Sequence, residues 1–149
     1  MKKVVIGIIC LIVVALICVG IYFGSNSLRV NKYSNIDTYD LKDEKIPSVA
    51  KVVGEGTLKK VSLSKGEVDT LTLTFEDPNA KASTEKYLAY LKEEGNYIDL
   101  DTNDANKKQI GESSKQNTDL VTVETELTEK GYILTIQVGQ GQIKLNPQE

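Results

Sequence analysis

Hydrophobic and polar positions divide the chain into one continuous apolar block and a longer stretch of alternation. The block covers residues 4–23, twenty positions without a charge. An α-helix of that length spans about 30 Å, the thickness of a bilayer hydrocarbon core, so the block predicts a transmembrane helix. Lys2 and Lys3 precede it and Ser25, Asn26 and Ser27 follow. By the positive-inside rule the N-terminus then lies in the cytoplasm and the rest of the chain outside. The competing reading is a cleaved secretory signal, whose apolar region usually runs about 7–15 residues; the length of this block favours an uncleaved anchor. Tyr22 and Phe23 mark its outer end, where aromatic rings settle at headgroup depth.

Residues 25–46 show no sustained periodicity and read as a polar stalk, with Tyr33, Tyr39 and Leu41 as isolated apolar points. Beyond Pro47 the pattern becomes regular. Residues 57–65 and 67–76 alternate as half-buried strands do. In the second, Leu71, Leu73 and Phe75 point one way and Thr70, Thr72 and Thr74 the other, with Lys65-Gly66 as the turn between the two strands. Asp77-Pro78 predicts a helix start, Asp as N-cap and Pro in the first turn, and Gly95 its stop. Ala80, Thr84, Tyr87, Leu88 and Leu91 form the apolar stripe of that helix. Three more strands follow, over residues 97–100, 120–127 and 132–138, the last two a hairpin turning through residues 128–131. The order ββαβββ predicts an α+β fold, a mostly antiparallel sheet with one packed helix. The organisation is a signal-anchor over 1–24, a stalk over 25–46, an extracytoplasmic domain over 47–142 and a tail over 143–149.

Composition narrows the chemistry. The chain has no His, no Trp and one Arg, and both Cys, Cys10 and Cys18, lie inside the apolar block. The exported part therefore has neither the commonest general base nor a disulfide, and must be held by its core alone. With Lys2 and Lys3 set aside, 16 basic and 21 acidic residues remain, a net charge of −5. Scattered Lys among Asp and Glu gives no clustered basic face, which argues against nucleic acid.

Lys86-Tyr87-Leu88-Ala89-Tyr90-Leu91, Gly95 and Gly131-Tyr132-x-Leu134-x-Ile136 resemble segments of small membrane-anchored extracytoplasmic proteins of Gram-positive bacteria. The resemblance covers about residues 47–141 and rests on core and turn positions. It implies a compartment and a fold, and carries over no site.

Three constellations invite a chemical reading. Asp99, Asp101 and Asn103 set oxygen ligands at alternate positions, like the opening of a calcium loop, but position six is Asp104 where such a loop has Gly, and position twelve is Ile110 where it has Glu. A polar loop at a strand end is the plainer alternative. Glu124 and Glu126 share a strand face, as paired acids in glycoside chemistry require, though such chemistry also needs a cleft. Ser62/Lys65 and Ser113-Ser114-Lys115 pair a nucleophile with an amine, but such a dyad needs a buried Lys and these lie in polar surroundings. No enzyme and no cofactor is expected. The expectation is a non-catalytic interaction module facing another envelope protein or a cell-wall polymer; the alternative is a small-ligand or calcium-binding domain with Asp99, Asp101 and Asn103 as its ligands.

Overall fold

The computed structural model describes residues 25–113 and 119–140. The apolar block over 4–23, Ser114, Lys115 and the tail over 143–149 lie outside them. Among the described residues no helix is long and apolar enough to cross a membrane.

The first correction concerns the stalk. Residues 25–34 form a helix, α1. Thr38–Leu41 (β1) and Glu44–Pro47 (β2) pair antiparallel as a hairpin. Its two-residue turn, Lys42 and Asp43, has positive φ at both positions (44° and 67°), as the twist of a tight hairpin demands. The apolar points in this segment are isolated because each element is short and contributes only one or two side chains inward. Tyr39, Leu41 and Ile46 are nonetheless buried in the core, and Val30, Tyr33 and Ile36 pack against it. Ser48 then ties the segment to the domain: its Oγ donates to the Ile36 carbonyl at 2.6 Å and accepts from Lys51 N at 3.1 Å, capping the short helix α2 (Val49–Val52).

The remaining elements are β3 (Thr57–Ser64), β4 (Val68–Glu76), α3 (Ala80–Glu94), β5 (Ile98–Leu100), β6 (Lys107–Ser113), β7 (Asp119–Leu127) and β8 (Gly131–Gln140). Strands β3 to β8 build one sheet in the order β3-β4-β8-β7-β6-β5, antiparallel at every pair. The α+β architecture with a mostly antiparallel sheet is as the alternation predicts. Strand β6 is the addition: one apolar residue, Ile110, reaches the core from it, so the strand leaves no alternating signal.

Helix α3 starts at Ala80, with Asn79 in the N-cap position. Asp77, expected as the cap, lies two residues before it, its Oδ1 accepting from Asn79 N at 2.7 Å. The stripe Thr84, Tyr87, Leu88 and Leu91 is buried against the sheet. The core lies on one face of the sheet, under Leu71, Leu73 and Phe75 of β4, Val121 and Val123 of β7, and Tyr132, Leu134, Ile136 and Val138 of β8. With side chains alternating along each strand, the neighbours of these residues form a second face.

Candidate functional site

The predicted calcium ligands fall at the end of β5 and in the loop after it. Asp99 and Ile110, first and twelfth in the supposed loop, are cross-strand partners in the β5–β6 hairpin. Asp99 and Asp101 line one groove of about 510 Å³ between α3 and this hairpin, but Lys92, Lys107 and Lys108 line it too, and Asn103 does not. Lys92 Nζ holds both Asp99 oxygens, at 3.1 and 3.2 Å. The loop satisfies its own polar groups: Asp104 Oδ1 accepts from Asn106 N at 2.9 Å, and Thr102 Oγ1 donates to Lys107 O at 2.9 Å. Among the described residues no three of His, Cys, Asp and Glu come together as a metal would need.

Glu124 and Glu126 share a face as the strand period requires, yet Lys107 on the neighbouring strand sits between them. Its Nζ lies 3.5 Å from Glu124 Oε1 and 3.3 Å from Glu126 Oε2. The hydrogen bond to Glu126 and the two negative charges hold the Lys107 pKa above its usual value. Both carboxylates are thus engaged by the same ammonium group. Ser62 is exposed on β3 and Lys65 in the following turn.

The larger feature is the second face of the sheet. The strand registers place Ser62, Thr72, Thr135, Glu124 and Gln109 in one row across five strands. A parallel row on one side holds Ser64, Thr70, Gln137, Thr122 and Gly111, and one on the other side Lys60, Thr74, Ile133, Glu126 and Lys107. Apart from Gly111, no residue in these three rows is buried, whereas the opposite face packs on the core. The surface is therefore rich in hydroxyls and bordered by apolar points at Val68 and Ile98, both exposed. β-Branched Thr satisfies two demands here, strand geometry and a polar outer face. The alternation of Thr70, Thr72 and Thr74 marks one strand of this face; its width depends on which strands are neighbours, which a single chain's pattern does not encode.

Comparison with protein-family models, with curated proteins and with solved structures finds no match. The chemistry of the surface carries the functional reading.

Proposed function

We propose that the chain is a single-pass membrane protein whose exported domain is a non-catalytic interaction module at the bacterial cell envelope. The observation that carries this reading is the second face of the sheet, which no element among the described residues covers, with hydroxyl, amide and carboxylate groups in register across five strands. The apolar block at 4–23, with Lys2 and Lys3 before it, supports an anchor with the N-terminus in the cytoplasm. The partner is an envelope protein in preference to a cell-wall polymer. No aromatic side chain stands in the three rows for a sugar ring to stack on, and the mixture of small hydroxyls with a few aliphatic points suits a polypeptide surface. Sheets that hold one face open to water are common among antiparallel folds, and an ordered one lets a partner dock at little entropic cost.

The test is site-specific photo-crosslinking of the full chain in its native membrane, with the crosslinker at Thr72 or Thr135 and, as the control, at Glu93 on the exposed side of α3. One dominant protein adduct from Thr72 and Thr135, missing from Glu93, is the expected result. Adducts from Glu93 alone, or adducts only to cell-wall material, would overturn the assignment of partner and face. A mature N-terminus found between residues 20 and 28 would remove the anchor.

A further inference from the structure

Charge is spread unevenly along the chain beyond the apolar block. Residues 24–36 hold Arg29 and Lys32 and no acid, whereas residues 37–149 hold 14 basic and 21 acidic residues, a net charge of −7. Both cations sit on one side of α1. Asn26, Val30 and Tyr33, spaced by about a turn, face the domain: Asn26 bonds Lys59 O and Val61 N on the edge of β3, and Val30 and Tyr33 pack on the core. Leu28 and Lys32, also a turn apart, fall on the opposite side with Arg29 next to them, and all three are exposed. Leu28 is 73% exposed, more than any other large hydrophobic residue among those described.

Among the described residues Lys59, Lys92, Lys107 and Lys108 are held in ion pairs, and Arg29 and Lys32 in none. The Lys32 ammonium lies over the Tyr33 ring, 5.6 Å from its centre. An apolar side chain flanked by cations on the outer side of a helix is the pattern of a helix lying in a membrane interface. Position supplies the partner. The block read as the anchor ends at residue 23, so Asn26 follows it by at most about 11 Å of chain and Leu28 by at most about 18 Å.

We infer that the outer side of α1 docks on the surface of a bilayer containing anionic lipid, with Leu28 entering the boundary between headgroups and acyl chains and Arg29 and Lys32 meeting lipid phosphates. The inference rests on the anchor proposed above and adds to it a contact made by the exported domain. The anchor makes this contact intramolecular, so a small surface suffices. Through Asn26 the contact also brings the β3 edge of the sheet to the membrane.

The chain has no Trp, so a Leu28→Trp variant carries a single reporter. The full-length variant is reconstituted into vesicles of phosphatidylcholine, with or without an equal part of phosphatidylglycerol, and quenching of its fluorescence by phosphatidylcholine brominated on the acyl chains is measured. Ser27→Trp is the control, one residue nearer the anchor, exposed, and off the docking side. In the anionic vesicles Leu28→Trp should show blue-shifted emission and quenching several-fold above that of Ser27→Trp. Adding Arg29→Gln and Lys32→Gln should lower the docking equilibrium constant about twentyfold, roughly fivefold for each cation, and remove most of the quenching. Lys65→Gln with Lys108→Gln, both exposed and elsewhere on the domain, should leave it unchanged. Quenching of Ser27→Trp equal to or above that of Leu28→Trp, or quenching of Leu28→Trp that survives loss of both cations, would overturn the inference. Flotation of the same vesicles keeps the two readings apart: a chain that floats without quenching of Leu28→Trp retains the anchor and loses the docking surface, whereas a chain that does not float loses the anchor and this inference with it.

Discussion

Tyr132 carries a buried hydroxyl without a partner, and its cost can be measured on stability alone. In the unfolded chain its hydroxyl bonds to water; in the fold it is 2% exposed and bonds to nothing. Burial without a partner costs about 1–3 kcal/mol. Tyr132→Phe removes that cost and keeps the ring that stacks on Phe75. The void left by one oxygen atom returns at most about 0.5 kcal/mol of the gain. The variant should therefore be more stable by about 1–2 kcal/mol, a rise in Tm of roughly 4–8 °C for a domain of this size. Urea unfolding of the full-length chain in detergent, followed by circular dichroism, measures the difference as a shift in midpoint at constant slope. A loss of about 1 kcal/mol or more on substitution would refute the reasoning, since it would mean that the hydroxyl makes a bond in the folded state.

Gly131 pairs with Glu76 where β8 begins, and a Cβ there would lie 2.0 Å from Phe75 O; Gly131→Ala should cost about 3 kcal/mol or more in the same urea assay, while Gly66→Ala, which meets nothing within 4 Å, should stay within about 0.5 kcal/mol. Asn26 bonds the outer edge of β3 through both ends of its amide, Nδ2 donating to Lys59 O at 3.2 Å and Oδ1 accepting from Val61 N at 3.3 Å; Asn26→Ala should speed hydrogen exchange at the Val61 amide about tenfold, and unchanged protection there would show that α1 does not clamp the edge. Burial raises the pKa of Tyr39 to about 12 and those of Tyr87, Tyr97 and Tyr132 further. Folded pKa values above the unfolded value near 10 give stability that is complete below pH 10 and is lost as pH rises past it. Absorbance at 295 nm should therefore report these four ionising together with unfolding, and independent titration of all four near pH 10 in a folded protein would contradict their burial.

How much of this was legible depended on how each residue meets the core. Strand β4 announces itself because Leu71, Leu73 and Phe75 all face the core while Thr70, Thr72 and Thr74 all face out, so pattern and burial coincide. The same holds for Leu134, Ile136 and Val138 of β8. In β1 and β2 the core contributions are Tyr39, Leu41 and Ile46, too few for a period to emerge, and a packed hairpin looks like a stalk. Asp99, Asp101 and Asn103 suggested ligands by spacing alone; the partner that Asp99 finds, Lys92 of α3, is seven residues back across a turn, and no local rule predicts it. Asp77 and Tyr132 carried signals of a different kind. One looks like a helix cap and the other like core, and each is partly that, but their unpaired atoms become visible only when β3, β4 and β8 are assembled around them.

The division of the sheet into two faces also constrains what the N-terminal segment does. Val30, Tyr33 and Ile36 of the 25–37 stretch pack on the core side, and Asn26 holds the β3 edge. Segment 25–46 is thus bound to the domain at both ends, by Asn26 at one and by Ser48 through Ile36 O and Asp37 O at the other. With α1 on the core side and one sheet edge occupied, the Thr-rich face is the side that no element among the described residues covers. A docking surface gains most when its orientation is set in advance, because the partner then meets an ordered target and loses less freedom on binding.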